Sequence, residues 1–165
     1  MAISNYICTA FPTHMNPHTL SIAQFKSRNA HSGVFYRDEL MASNRIEDLE
    51  LLSSPCRLNA MTVLLCTKGT VECAINLKRY QVEADMMLVG LPDDIICIDN
   101  IENAECHLVL MSSEILKELH LDFRNRTDFY LNIRRNATLS LPHEQMTQLR
   151  PYYTLLSGCM KPPTA

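Results

Sequence analysis

Apolar and polar residues alternate with a period of two in the middle of the chain. Between Thr70 and Leu77 every second residue is hydrophobic, which is typical of a strand with one buried face and one wetter face. The preceding run, from Ala60 to Thr67, is apolar at most positions and predicts a strand covered on both sides. The dipeptide Lys68-Gly69 between the two runs predicts a tight hairpin, because glycine readily adopts the left-handed backbone conformation that such turns need.

Further short apolar runs follow at near-regular spacing, with turn residues or the polar segment Asp99 to Glu105 between them. Together with a strand beginning at Val34 they make seven or eight strands, which is enough to close or nearly close a jelly-roll barrel. We therefore expect a mainly β fold with the barrel in residues 34–111. The further strands are predicted at Tyr80 to Glu83, Met86 to Val89, Ile95 to Ile98 and Cys106 to Met111.

The segments before the barrel contain no long periodic run. Residues 1–33 predict an N-terminal arm with extended pieces laid on the barrel, such as Leu20 to Lys26. Ser43 or Asn44 is a suitable N-cap for a short helix that ends before Pro55, since both side chains can accept from free amides of a first turn.

After the barrel, apolar residues recur at helical spacing. Ser112 or Ser113 predicts the N-cap of a two-turn helix whose apolar stripe includes Leu116 and Leu119. For residues 122–139 a helix and an extended segment are both compatible with the pattern. A second helical segment begins at Leu141, and its stripe consists of Met146, Leu149, Tyr153 and Leu156.

Two residues interrupt that second segment. Pro151 predicts a kink or a junction of two helices, because proline lacks the amide of the helical ladder, and Gly158 predicts the helix end. The stripe is compatible with packing against the barrel and with contact to a second subunit. Residues 112–158 thus form a predicted helical segment, and residues 159–165 resemble the start of a linker.

Composition places the chain among ordinary globular domains. It has 165 residues, 47% of them hydrophobic and 20% charged, and a net charge of −3, so there is room for one domain and no general attraction to nucleic acid or anionic membranes. The N-terminus lacks the pattern of a secretion signal, and we expect a cytoplasmic protein. Seven cysteines without any CxxC pair predict buried, reduced thiols.

The usual signatures of catalysis are missing from the sequence. The four glycines are isolated, and neither a nucleophile elbow nor an HExxH motif is present. A metal-dependent barrel would carry two histidines and a carboxylate on adjacent strands, whereas Glu72, Asn76 and Lys78 occupy that region. We therefore expect no metal, cofactor or catalytic set. The basic residues between Arg124 and Arg135 alternate with aspartates and predict a solvated face.

Several patterns resemble the N-terminal cupin-like domain of AraC-family transcription regulators, in the version common in Bacteroidetes. They include the segment from Pro55 to Leu58, Lys68-Gly69, the run Leu88 to Pro92, the helix start at Ser113, and the pair Tyr152-Tyr153 after Leu139 to Glu144. The resemblance covers roughly residues 34–158.

The resemblance implies a cupin-like jelly-roll barrel that binds a small-molecule effector and forms a homodimer, with short α-helices packed after the barrel. It also implies a C-terminal DNA-binding domain with two helix-turn-helix motifs, which is absent from this sequence. The candidate effector-binding residues are Tyr36, Arg57, Tyr80 and His107, and for His107 a core position is the alternative.

The helical segments supply the predicted dimer interface. Its candidate residues are Leu116, Leu119, Met146, Leu149, Tyr153 and Leu156. The alternative to a regulatory domain is a stand-alone cupin-type small-molecule-binding protein or enzyme.

Overall fold

Nine strands and five helices account for most of the described part of the chain, which is residues 16–28, 33–121 and 126–160 of a computed structural model. The strands are β1 His18–Leu20, β2 Val34–Tyr36, β3 Leu40–Ser43, β4 Cys56–Leu58, β5 Met61–Ile75, β6 Lys78–Glu83, β7 Met86–Gly90, β8 Ile95–Met111 and β9 Thr138–Ser140. The helices are α1 Ile22–Arg28, α2 Ile46–Glu50, α3 Ser113–Glu118, α4 Thr127–Arg135 and α5 His143–Met160.

Two long strands, β5 and β8, organise the sheet by pairing antiparallel along their whole length. The first half of β5 also pairs with β7, and the second half pairs with β6. Likewise, Ile95 and Ile96 at the start of β8 pair with β4, and the last four residues of β8 pair with β3. The result is two layers, β9-β7-β5-β8-β3-β2 and β6-β5-β8-β4-β1, that share the two long strands.

This arrangement confirms the predicted mainly β fold with short helices after the strands, and its two layers fit a cupin-like jelly-roll. The sheet is mixed, since β1 and β4 pair in parallel, and within the described residues it is not closed into a barrel. The chain from Leu40 to Met111 supplies six of the nine strands of the described residues, and the helices lie before, between and after the strands.

The predicted hairpin at Lys68-Gly69 is wrong, because β5 runs through both residues as one strand. Register shifts between Cys66 and Thr70 mark bulges at this point, and Gly69 has a φ of +70°. A Cβ at Gly69 would lie 2.3 Å from the carbonyl oxygen of Asn103. The glycine therefore permits a close approach of β5 and β8 where the layers meet.

The polar segment Asp99 to Glu105 is likewise part of a strand and not a loop. Strand β8 continues through it, and its residues Ile101 and Glu102 pair with Val71 and Thr70 of β5. Most of its side chains are exposed, so they can be polar while the backbone amides and carbonyls are satisfied by the ladder.

The core lies between the two layers and is filled by aliphatic residues and cysteines. Leu64, Leu108 and Leu110 contribute from one layer, and Val71 and Ile96 from the other; all are almost fully buried and belong to one contiguous cluster. Five cysteines of the described residues are buried without forming a disulfide and pack like small hydrophobic residues; they are Cys56, Cys66, Cys73, Cys97 and Cys106.

The helices after the strands cover the outer face of the β7-β5-β8-β3 layer. Leu116 of α3 packs with Met61 and Val89, where Phe129 and Ile133 of α4 join the cluster. Beside it, Ile115 of α3 packs with Leu40, Ala42 and the end of α5. Because the core covers one face of the first half of β5 and these helices cover the other, both faces of this half carry apolar residues.

The N-terminal segment differs from the prediction. Strand β1 ends at Leu20, and Ile22 begins a helix that buries Phe25 completely. The reason is a reciprocal cap: the amide of Gln24 donates to the hydroxyl of Ser21, and the amide of Ser21 donates to the side chain of Gln24. The S-x-x-Q pattern of this capping box favours a helix over the predicted extended segment.

Helix boundaries were partly predicted. Ser112 is the N-cap of α3 and accepts from the amide of Ile115, which confirms one of the two predicted caps. Neither predicted cap serves α2: Arg45 precedes it without a side-chain cap, because Ser43 lies in β3 and donates instead to the buried carboxylate of Asp48. The ambiguous residues 122–139 form α4 and β9 where they are described.

Helix α5 is one element from His143 to Met160, so neither a junction at Pro151 nor an end at Gly158 is seen. Pro151 has no amide that could donate to the backbone carbonyl of Thr147, four residues earlier. Both residues are exposed. Water can therefore satisfy that carbonyl. No helix in residues 16–28, 33–121 or 126–160 has both the length and the apolar character needed to span a membrane.

Candidate functional site

A cavity of about 320 Å³ lies outside the filled core, between α4 and the hairpin that joins β5 to β6. One wall comes from the hairpin and the neighbouring sheet, and the opposite wall comes from the end of α4. The lining residues are Ile75, Asn76, Lys78, Tyr80, Val89, Asp94, Ile133, Arg134 and Ala137.

Asp94 is the anchor of this cavity. Its side chain is only 3% exposed, and both carboxylate oxygens are occupied. Oδ1 accepts from the side-chain amide of Asn76 at 2.8 Å and from the guanidinium of Arg134, and Oδ2 accepts from the amide of Leu91 at 2.8 Å. A buried carboxylate needs such partners to remain charged.

The tip of the β5-β6 hairpin positions one of those partners. Asn76 and Leu77 form a two-residue turn with φ values of +48° and +74°, the signature of a type I′ turn. Asn76 tolerates this conformation and also accepts from the amide of Ile95 through its side-chain oxygen, at 3.0 Å. The turn thus fixes the Asn76 amide against Asp94.

Arg134 brings α4 to the sheet. Its guanidinium donates to Asp94 and, through Nε, to the hydroxyl of Tyr130 one helical turn earlier, at 3.1 Å. It also lies 5.1 Å from the centre of the Tyr130 ring. Partial burial disfavours the charged form, but the Tyr130 hydroxyl and the Asp94 carboxylate outweigh it and raise the pKa of Arg134. The guanidinium is thereby held charged in one orientation.

Lys78 and Tyr80 face the same space from β6. The ammonium of Lys78 donates to the backbone carbonyl of Arg135 at the end of α4 and lies 5.3 Å from the ring centre of Tyr80. The hydroxyl of Tyr80 accepts from the amide of Ala137 at 3.4 Å. Because that hydroxyl serves as an acceptor there, its own hydrogen can be donated elsewhere.

Helix α4 rests on the sheet with little apolar contact. None of its residues is fully buried, and its apolar contact to the sheet consists of the partly buried Phe129 and Ile133. Its acidic first turn and basic last turn suit the helix dipole. Polar contacts from Asp94 and Lys78 therefore carry much of its attachment, which is typical of an element with low local stability.

A second cavity, of about 370 Å³, lies between the β2-β3 hairpin and the last turns of α5. Its lining is uncharged and, apart from Tyr153, consists mostly of small residues such as Gly33, Ala42, Ser157 and Gly158. Since the cavity beneath α4 combines two cations, a buried carboxylate and an apolar wall, it has the stronger chemistry for recognising a ligand.

The four predicted effector-binding residues lie on four strands. Tyr80 lines the cavity beneath α4. Tyr36 on β2 is exposed, with Arg37 stacked on its ring, and Arg57 on β4 is exposed and donates to the carbonyl of Asp93 at 3.0 Å. A ligand contact by any of the four stays a prediction.

His107 lies on the outer face of β8, beneath α5. Its ring centre is 4.1 Å from that of Tyr153, and its buried Nδ1 has no hydrogen-bond partner among the described residues. Burial lowers the pKa of His107, and the nearby guanidinium of Arg150 lowers it further, against a smaller opposite effect of Glu105. His107 is half-buried there and does not line the cavity beneath α4.

The predicted interface residues divide into two groups. Leu116 and Met146 are buried, and Tyr153 and Leu156 pack partly buried against the chain's own sheet. Leu119 is 53% exposed, and Leu149 is partly exposed. On α5 the most exposed large apolar residues are Tyr152 and Leu155, which face away from that packing. The dimer interface stays a prediction.

The residues that build the cavity were mostly missed by the sequence. Asn76 and Lys78 were mentioned only because they stand where a metal-dependent barrel would carry metal ligands. Arg134 was assigned to a solvated face. The available signal was the i, i+4 pair Tyr130 and Arg134 within the basic segment. Among residues 16–28, 33–121 and 126–160, no group of three histidine, cysteine or acidic side chains could hold a metal ion.

Comparison with known proteins gives only distant similarities. No family model matches the chain, and no curated protein matches it either. Among solved structures, ToxT from Vibrio cholerae is 11% identical, with a TM-score of 0.38 over 64% of this chain and 43% of its own. EutQ from Clostridium difficile is 11% identical, with a TM-score of 0.34 over 49% of this chain and 65% of its own.

A third similar structure is the AraC-like transcriptional activator CuxR. It is 13% identical, with a TM-score of 0.29 over 77% of this chain and 51% of its own. The chain thus spans about half or less of the length of each regulator named here. At these scores the similarities leave its function open.

Proposed function

We propose that this chain is the ligand-sensing and dimerisation domain of an AraC-type transcription regulator of the Bacteroidetes kind. In this proposal it is a cytoplasmic homodimer without catalytic activity, and it controls transcription through a helix-turn-helix domain that would follow α5. A small-molecule effector is its other partner. The proposal rests on the sequence resemblance over residues 34–158 together with the cavity beneath α4.

The observation that carries the proposal is the way α4 covers that cavity. Arg134 reaches from α4 to the buried Asp94, and Lys78 reaches from the sheet to the carbonyl at the end of α4. Both cations also line the cavity. A ligand in the cavity therefore competes with, or adds to, the contacts that hold α4 in place.

A movement of α4 would be transmitted along the chain. Ala137 lies two residues after the end of α4, and its amide and carbonyl form hydrogen bonds with Tyr80 and Val89, so these two bonds are the first contacts that a movement of α4 would load. Strand β9 and helix α5 come next, and α5 would lead into the DNA-binding domain. The ligand would shift this balance by its difference in affinity for the two positions of α4.

Dimerisation in this proposal uses the exposed faces of α3 and α5. Tyr152 and Leu155 are 70% and 65% exposed, which is unusual for neighbouring large apolar side chains on one helix face. Leu119 at the end of α3 is also exposed. Tyrosine is enriched at protein interfaces, where its ring supplies apolar area and its hydroxyl remains wet.

A reporter fusion tests the proposal in a cell. The chain is joined through its C-terminus to a DNA-binding domain that represses a reporter only as a dimer. We expect repression by the fusion, and loss of repression by the variant Leu155→Glu. The control is Leu139→Glu, which places the same charge at a 51% exposed leucine on β9 and should leave repression intact.

Two results would contradict the proposal. One is a fusion that never represses although it accumulates, together with a monomeric mass of the chain by light scattering at high micromolar concentration. The other is an open reading frame that, in the native gene, continues past Ala165 into something other than helix-turn-helix motifs. A stop codon there would favour the stand-alone cupin-type protein or enzyme.

A further inference from the structure

We infer that the ligand of the cavity beneath α4 is a small monocarboxylate with a short apolar body. This inference rests on the proposed function, since it names the chemical class of the effector for that site. It is carried by three features of the cavity: its charge balance, its converging donors and its apolar wall.

The cavity has a surplus of one positive charge. Its lining includes the cations Lys78 and Arg134 and the single carboxylate of Asp94. Both Asp94 oxygens already have partners, so the carboxylate is fully engaged within the protein. A ligand with one negative charge would neutralise the remaining cation, whereas a cationic ligand would add to the surplus.

Donors with unused hydrogens converge on the same space. The ammonium of Lys78 has three hydrogens and donates one to the Arg135 carbonyl. Arg134 has five, of which Nε and one terminal nitrogen each use one on Tyr130 and Asp94. The Tyr80 hydroxyl can donate as well. Charged donors of this kind are the favoured partners of a carboxylate.

The rest of the lining is apolar and limits the size of the ligand. Ile75, Val89, Ile133 and Ala137 form this part of the wall, and a volume of about 320 Å³ is at the low end for small-molecule sites. A nucleoside monophosphate is disfavoured because its phosphate carries close to two negative charges, whereas the cavity has a surplus of one positive charge. A short aliphatic or aromatic acid suits both the donors and the wall.

The test uses hexanoate and benzoate as probes, with hexanamide and benzamide as neutral matches of the same shape. Binding to the ¹⁵N-labelled chain is followed by NMR up to about 10 mM in a chloride buffer, with inorganic phosphate as a further probe. We expect saturable shifts at the amides of residues 76–80 and 133–137 with at least one acid, and at least tenfold weaker binding of its amide.

Two variants locate the site. Lys78→Met keeps the length of the side chain and removes the charge, and it should weaken binding of the acid about tenfold. The control is Lys68→Met, an exposed lysine on β5 that pairs with Glu105, which should leave the affinity unchanged. Tyr80→Phe removes only a hydroxyl and serves as the second variant if Lys78→Met does not fold.

Each outcome decides the inference. Equal binding of acid and amide, equal binding of phosphate, or no binding of either acid would overturn it. So would an affinity for the acid that survives both Lys78→Met and Tyr80→Phe. These results concern the ligand class alone, because the reporter fusion measures dimerisation and repression without any added ligand; a failure of the proposed function would show there instead.

Discussion

Arg134 on α4 and Asp94 on the β7-β8 connection form an ion pair whose carboxylate is buried and whose guanidinium is 37% exposed. The pair joins residues 40 positions apart and closes one side of the candidate ligand cavity. Most of the exposed ion pairs elsewhere in the described chain contribute little, because solvent screens them. This one is different, since removing one partner leaves a partly buried charge without compensation.

The substitution Asp94→Asn tests this relationship. An amide has one acceptor oxygen, so its NH₂ group must face Arg134, Asn76 or the Leu91 amide, all of which are donors. We expect a loss of about 2–3 kcal/mol in the free energy of unfolding, measured by urea denaturation. The matched control is the adjacent, exposed Asp93, whose φ of +71° asparagine also tolerates. Asp93→Asn should change the free energy of unfolding by less than about 0.5 kcal/mol. Equal effects of the two substitutions would mean that the pair does not hold α4.

The hairpin tip next to the cavity stores strain at Leu77. This residue has a φ of +74° and a side chain that is 65% exposed, so the conformation costs about 1–2 kcal/mol without a compensating burial. Leu77→Gly should therefore stabilise the protein by up to about 1 kcal/mol after the entropy cost of glycine. Leu77→Ala keeps the strain and should leave the free energy of unfolding nearly unchanged. Destabilisation by glycine would show that the leucine makes a needed contact.

Two glycines predict opposite effects of the same substitution. At Gly69 a Cβ would collide with the backbone of Asn103 and Glu102 in a left-handed conformation, so Gly69→Ala should destabilise by about 3 kcal/mol or more. At Gly158 in α5 a Cβ meets nothing within 4 Å, and Gly158→Ala should stabilise by about 0.5–1 kcal/mol. Thermal melting of both variants checks the pair. A tolerated alanine at Gly69 would contradict the continuous path of β5.

The lowered pKa of His107 should make the free energy of unfolding depend on pH. Because its pKa is lowered in the folded protein, the unfolded chain binds a proton there more readily. Stability is therefore lost as the pH falls from about 6.5, the ordinary pKa of histidine, to the lowered value, and it remains lost below that. His107→Leu should flatten this part of the profile, measured by urea denaturation between pH 5 and 8. Identical slopes in the protein and the variant would contradict the burial beneath α5.

Cysteine reactivity tests the packing of the core. Burial raises the pKa of Cys56 and Cys97 to about 11 and that of Cys73 to about 12, so these thiols should react slowly with a disulfide reagent at pH 8. Cys159 is exposed on α5 and should react fast. Cys159→Ala is expected to remove one fast equivalent from the time course. An unchanged fast phase would place Cys159 away from solvent.

The sequence predicted strands well and their connections less well. Alternation identified β5 and β8 on both sides of the bulge, because burial on a sheet face has a period of two. It could not distinguish a hairpin at Lys68-Gly69 from a bulge, since a left-handed glycine serves both. The bulge is required by the close approach of Gly69 to the backbone of Asn103, a residue that is remote in the sequence. By contrast, the capping box at Ser21 and Gln24 is a local signal that could have predicted α1.

The candidate site illustrates the same limit. Tyr80 is one of the four candidates named from the sequence, and it does line the cavity. Asp94 has no local sequence signal that singles it out, and Arg134 was assigned to a solvated face. Only the fold brings them together, and neither residue's burial nor its charge pairing follows from local pattern.

Hydrogen exchange shows whether a ligand in the cavity acts on α4. The exchange of the amides of residues 130–135 is measured with the bare chain and with the acid probe that gives the largest NMR shifts. We expect fast exchange in α4 relative to β5 and β8 without ligand, and slower exchange in α4 when the probe is bound. Exchange in α4 that is unchanged at saturating probe, with protection appearing only in the core strands, would contradict this expectation.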